Sequence, residues 1–197
     1  MKHGEFLVLT YHAVPVKASP DDEFSVSQND FVEQMEYLRT HGYYPVSLDD
    51  ILKAGEGKKD LPQNPVLLTF DDAYISYYNF VVPILEKFGY PSVLAVVGSF
   101  IDNPPEGLAE PLMNWDQLKE VASKRLVEVV SHTYDLHKDI QYNPQGNVGS
   151  AVFVRAYDPN TKTYETEEEY RARMEGDFNR QNTLFTRYLG FTPRGVV

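Results

Sequence analysis

Five side chains that can bind a metal ion or move a proton come directly after apolar runs. His12 follows Phe6-Leu7-Val8-Leu9-Thr10-Tyr11, Asp71-Asp72 follow Val66-Leu67-Leu68-Thr69-Phe70, and His132 and His137 follow the run from Leu126 to Val130. The chain has 5 histidines, and three of them stand at these positions. Two neutral imidazoles and a carboxylate make a sound three-ligand set for a borderline divalent ion, with positions left open for water and a reactant. Singly, each residue has a plainer role. A histidine at a strand end is commonly a hydrogen-bonded structural residue, and Asp-Asp after a strand is a common helix N-cap. Their concentration at three strand ends favours the chemical role. The step from His132 to His137 misses a single helix face, for which four residues would serve, and so requires a curved loop.

In parallel α/β architectures, reactive groups collect at the carboxyl ends of strands, so the question is whether the intervening chain alternates strand and helix. It does. Phe6 to Tyr11 reads as a buried strand. Ser27 is an N-cap with Asp30 three residues on, and Phe31, Met35 and Leu38 recur at helical spacing before Gly42. A short strand at 44–46 and a short helix at 48–54 lead to Val66–Phe70, whose lack of alternation suits a strand covered on both faces. Apolar residues from Tyr78 to Phe88 predict a helix ending at Gly89, with Pro83 marking a kink or a late start. A strand at 93–97, a helix at 115–123 and a strand at 126–130 follow. Residues 141–163 carry Gly, Asn and Pro without a period and read as a long loop. Thr166 opens a last helix as a capping box, bearing Tyr170, Met174, Phe178, Leu184 and Tyr188, and Val196-Val197 begin another strand.

At 197 residues with 42% hydrophobic content, one domain over 1–197 is the expectation. A formal charge of -11 disfavours a nonspecific grip on nucleic acid or an anionic membrane. The absence of cysteine excludes disulfides, thiolate nucleophiles and cysteine-type zinc sites. Met1 to Phe6 lacks the apolar segment of a signal peptide, and no run is long enough to span a bilayer.

Thr69-Phe70-Asp71-Asp72 and Ser131-His132-Thr133-Tyr134-Asp135-Leu136-His137 resemble the first two signature motifs of the polysaccharide deacetylase (NodB-homology, carbohydrate esterase 4) family. They come in the family's order, about sixty residues apart, and both at strand ends. Leu9-Thr10-Tyr11-His12-Ala13-Val14, Gly42-Tyr43-Tyr44-Pro45-Val46-Ser47, Arg155-Ala156-Tyr157 and Tyr164-Glu165-Thr166-Glu167-Glu168-Glu169-Tyr170 narrow the resemblance to bacterial poly-β-1,6-N-acetylglucosamine de-N-acetylases. The similarity covers almost the whole chain.

The resemblance implies a distorted (β/α) barrel in which Asp72, His132 and His137 bind one divalent metal ion, Asp71 is the general base and His12 the general acid. In the usual family order a histidine near the C-terminus is the acid, but none follows His137. The subgroup carries its motifs in a circularly permuted order, which gives that role to His12. The third family motif should be arriving at Arg194-Gly195-Val196-Val197, so the later barrel strands and one wall of the groove are expected to be missing and the domain truncated at its C-terminus. Zn, Ni, Co and Fe(II) all accept such ligands. Of the aromatic residues, Tyr74, Tyr77, Tyr78, Trp115, Tyr134 and Tyr142 have the face to stack on sugar rings; Tyr134 and Trp115, nearest the metal motif, are expected to do so, whereas Tyr77 and Tyr78 are expected to pack a helix.

The implied activity is removal of N-acetyl groups from a β-linked N-acetylglucosamine polymer, the exopolysaccharide poly-β-1,6-N-acetylglucosamine of biofilm matrix. Alternatives are deacetylation of peptidoglycan or chitin, and an inactive metal-bearing carbohydrate-binding module. Resemblance also implies a periplasmic or extracellular place at the cell envelope, and a partner domain in the full-length protein.

Overall fold

The computed structural model describes residues 5–197; the first four, used above in reading the N-terminus, lie outside them. Four parallel strands form the central sheet in the order β1 (Leu7–Tyr11), β3 (Pro65–Asp71), β4 (Ser92–Val96) and β5 (Val127–Ser131). The short β2 (Tyr44–Pro45) pairs with the beginning of β3. Val196 continues the sheet beyond β5 through a parallel bridge to Ser131, as its β-branched sequence predicts. Every residue of β3 and β4 is buried, which explains their unbroken apolar runs.

The sheet alternates its side chains between two apolar clusters. Val66, Leu68, Phe70, Leu94, Val96 and Val129 pack with Phe31, Met35 and Leu38 of α1 (Gln28–Thr40), Leu85 of α3 (Val82–Phe88), and Leu118 and Val121 of α5 (Trp115–Ala122). Leu67, Val93, Ala95 and Val130 face the other way, against Phe6 and the Leu48 and Ile51 side chains of α2 (Leu48–Gly55). The helix starts follow their caps: the Ser27, Ser47, Asn114 and Thr166 side chains each accept the N–H three residues on.

Several expectations change. β1 is exposed at Leu7 and Val8, where a buried strand was expected; among the described residues it pairs with β3 alone. Of the two readings of Pro83, the late start holds: the α-helix begins at Val82 and not at Tyr78. Tyr77–Val81 winds as a π turn in which Val82 N–H reaches the Tyr77 carbonyl, and Pro83, with no N–H to place, falls in the first turn of α3. The region read as a loop holds two hairpins, β6 (Asp139–Gln141) with β7 (Val148–Ser150) and β8 (Tyr157–Asp158) with β9 (Thr163–Tyr164). Such short strands have no buried face to impose a period. A one-turn helix, α4 (Gly98–Asp102), follows β4. The last helix, α6 (Glu167–Tyr188), turns Leu184 inward as expected, but its other buried residues are Asp177, Gln181 and Phe185 and not Tyr170, Met174, Phe178 or Tyr188.

The hairpins are fastened to α6 by Arg173. Its Nε and Nη2 each donate to a Glu165 oxygen at 2.7 Å, and Nη1 and Nη2 reach the Ala151 and Val154 carbonyls. The Arg173 guanidinium holds the Glu165 carboxyl below its ordinary range. A depressed pKa adds stability above the unfolded-state pKa that is lost as pH falls through the folded one. Thermal unfolding followed against pH is therefore expected to show an acid-side decline that is shallower in Glu165→Gln, which costs about 1–2 kcal/mol at neutral pH. Superimposable acid limbs would remove Glu165 as a contributor.

Candidate metal centre and its cavity

Three strand ends deliver the reactive groups. β3 ends at Asp71, and the chain then takes two left-handed residues in succession, Asp72 (φ 69°) and Ala73 (φ 67°). Neither is glycine, so each costs on the order of 1–3 kcal/mol. Surrounding contacts hold the turn in place. Met113 N–H donates to the Ala73 carbonyl, Ile75 N–H to the Pro111 carbonyl, Ser76 N–H to Glu110, and Val14 N–H to the Ser76 hydroxyl. The strain turns the Asp72 carboxylate over the sheet end instead of letting the chain run on into a helix.

After β5 the chain curves as the histidine spacing requires. Thr133 is left-handed (φ 69°), its N–H donates to the Ser131 hydroxyl, and its own hydroxyl accepts Leu136 N–H. The bend brings the His132 and His137 rings to 4.7 Å between centroids. One donor atom each from Asp72, His132 and His137 lies within 4.8 Å of the other two. Nδ1 of His132 donates to the Val197 backbone oxygen at 2.6 Å, which fixes the proton on Nδ1 and leaves the Nε2 lone pair for a ligand. Oδ1 of Asp72 is buried without a hydrogen-bond partner, an expense that a bound cation would offset. The donor set, its spacing and the orphaned oxygen fit a divalent metal ion.

Asp71 lies between this trio and His12. Its Oδ2 is 4.0 Å from His12 Nε2, and its Oδ1 is also buried without a partner. Burial pushes the Asp71 carboxyl above its ordinary pKa, while the imidazoles of His132 and His12 pull it back. Such a carboxylate is a stronger base than one in water.

A cavity of about 750 Å³ opens beside these groups, lined by His12, Asp72 and His137 together with Asp22, Phe24, Tyr74 and Phe100, with Asp71 and His132 behind its lining. Phe24 is largely exposed and tilts against the His12 ring at 5.2 Å. Phe100 meets His137 edge-on at 5.5 Å. Asp22 pins the Phe24 loop by accepting its N–H at 3.0 Å and by bonding to Ser25. Sequence reasoning passed over Phe24, Phe100 and Asp22. Phe24 follows a polar loop with no period, and only its closeness in sequence to His12 hinted at it.

Trp115 and Tyr134 lie off this cavity. Trp115 stacks on Tyr188 at 4.8 Å and donates Nε1–H to Asp102 at 3.2 Å, while the Tyr134 hydroxyl reaches the same carboxylate at 3.4 Å under Arg180. Tyr77 is buried and bonded to Ser92, a packing residue as expected. Arg194 pairs with Glu128 and Asp49, at the far end of β5 from the histidines.

Residues 58–197 match the family model described as Polysaccharide deacetylase. A poly-beta-1,6-N-acetyl-D-glucosamine N-deacetylase from Escherichia coli K12 is 40% identical over 89% of this chain, but the alignment takes in 27% of that relative, so the chain spans little more than a quarter of its length. Among solved structures, a de-N-acetylase from Aggregatibacter actinomycetemcomitans superposes with a TM-score of 0.85 at 34% identity, covering 96% of this chain and 77% of the other. The BpsB deacetylase domain from Bordetella bronchiseptica gives 0.82 at 37%, covering 97% and 78%.

Proposed function

The chain belongs to the polysaccharide deacetylase family, and from that membership we propose that it hydrolyses N-acetyl groups of a β-linked N-acetylglucosamine polymer, poly-β-1,6-N-acetylglucosamine in particular. The observation that carries this reading is the place of Asp71, buried between His12 on one side and the Asp72, His132 and His137 donors on the other. A base, an acid and a cation site gathered within reach of one another are what amide hydrolysis requires.

A divalent ion held by Asp72, His132 and His137 would polarise the acetamide carbonyl and acidify a water near it. Asp71 takes a proton from the attacking water as its oxygen bonds to the carbonyl carbon. His12, protonated, gives its proton to the amide nitrogen as the carbon–nitrogen bond breaks, so that acetate and a free amine leave. Phe24 offers an apolar face for a sugar ring and limits how far His12 can swing. The cavity volume falls within the range that encloses small-molecule groups. A polymer of this kind lies outside the cytoplasmic membrane, which places the work of this chain at the cell envelope. None of the described helices is long and apolar enough to cross a membrane.

Acetate release from poly-β-1,6-N-acetylglucosamine, chitin and peptidoglycan, assayed in parallel with metal-loaded protein, tests the reading. The 1,6-linked polymer is expected to react fastest. Faster release from either of the others would reassign the linkage. Binding to the polymer with no acetate from any of the three would make the chain a carbohydrate-binding module instead.

A further inference from the structure

Two polar residues occupy the inward face of α6 where apolar ones were expected. Asp177 is buried, and among the described residues no arginine or lysine is hydrogen-bonded to it, although the Arg173 charge acts on it from a distance. Its two oxygens accept the backbone N–H groups of Tyr134 at 2.8 Å and Asp135 at 2.6 Å. Gln181, one turn later and fully buried, donates Nε2–H to the Val96 carbonyl at 2.7 Å, and that same carbonyl accepts the His132 N–H at 2.9 Å. On the opposite side, Gly98 and Ser99 N–H groups donate to the Thr133 and Tyr134 carbonyls. The approach is so close that a Cβ at Gly98 would lie 2.1 Å from Gln181 Oε1 and 2.9 Å from the Tyr134 ring.

We propose that Asp177 is a positioning residue of the metal centre, a carboxylate clamp that grips the crest of the His132–His137 bend and thereby sets the separation of the two imidazoles. The proposal rests on Asp72, His132 and His137 being the ligands. Its physical ground is that four consecutive residues after a strand have no ladder of their own, so their N–H groups need fixed acceptors. Asp177 supplies two at the crest, where the bend changes direction. Charge-assisted bonds of this length are the strong kind, and a carboxylate can take both donors at once while an amide of the same shape cannot. An asparagine at 177 would turn an N–H₂ group toward one of the two backbone N–H groups and open the bend.

The test measures Co²⁺ and Zn²⁺ affinity by competition with a chromophoric chelator, the visible absorption of the Co²⁺ form, and the melting temperature without metal. Wild type and Asp177→Asn are compared, with His132→Ala as the variant lacking a ligand. Asp177→Asn is expected to bind each ion about 10–100-fold more weakly, with an altered Co²⁺ spectrum, while still melting cooperatively without metal. Wild-type affinity together with an unchanged Co²⁺ spectrum in that variant would overturn the proposal. Should Asp177→Asn fail to fold, hydrogen exchange on metal-free wild type decides. Slow exchange at the Tyr134 and Asp135 amides supports the clamp, and exchange at the rate of an open loop overturns it. If wild type binds neither ion, the ligand assignment fails, and the same exchange measurement still judges the clamp on its own.

Discussion

Asp71→Asn is expected to lower acetate release by about 10²–10⁴-fold while leaving metal content unchanged. Asparagine matches the carboxylate in shape but has no basic oxygen, so the variant isolates proton transfer from packing. Asp71 is suited to such a test because it is buried and bonded to neither histidine beside it. His12 Nε2 is 4.0 Å away, and Oδ1 has no partner. Its folded-state pKa is raised, chiefly by burial, which means that the ionised form costs stability at neutral pH. Metal-free Asp71→Asn is therefore expected to melt no lower than wild type. Near-normal acetate release would end the assignment of Asp71 as base. Loss of bound metal would show instead that Asp71 belongs to the ligand set.

His132→Ala is expected to abolish stable metal binding. After dialysis against a chelator that leaves wild type loaded, its metal content should approach zero, and its affinity should fall by more than about 100-fold, the upper end of what removing a mere supporting residue costs. Acetate release should drop with it. Three donors are the fewest that hold a borderline ion in an open site, and His132 is the best oriented of them, with Nδ1 committed to the Val197 oxygen. His41→Ala is the matched control. That ring stacks on Tyr37 at the end of α1, and its removal should leave metal content alone. Full metal occupancy in His132→Ala would refute the donor trio.

What was legible in the sequence follows from which forces leave a local trace. β3 and β4 are covered on both faces and read as continuous apolar runs. Asp71 and Asp72 stood out because the apolar run of β3 ends in them, whereas His12 follows an edge strand and His137 is reached only through the bend after β5. Caps at Ser27 and Thr166 were visible because their hydrogen bonds close within three residues. The cavity wall was not visible. Phe24 reaches His12 from an aperiodic loop, and neighbourhoods of that kind are set by the fold as a whole. The choice of Trp115 and Tyr134 as sugar platforms relied on closeness to the histidine motif along the chain. In space neither lines the cavity: both bond to Asp102, and Trp115 stacks on Tyr188. The stripe on α6 was misread for a related reason. A periodicity of apolar residues has no means of registering Asp177 and Gln181, whose partners are backbone groups at 134, 135 and 96.

His12, Asp72 and His132 stand at three strand ends, with α1, β2, α2 and β3 between the first two and α3, β4, α4, α5 and β5 between the last two. Closing loops of that size is entropically costly until the strands between them have paired. An ion held by Asp72, His132 and His137 would consequently find no partial site on an unfinished chain, because Asp72 and His132 come together only when β3, β4 and β5 lie side by side. Its loading would be a late event in folding, and it would slow the reopening of a sheet that formed without its help.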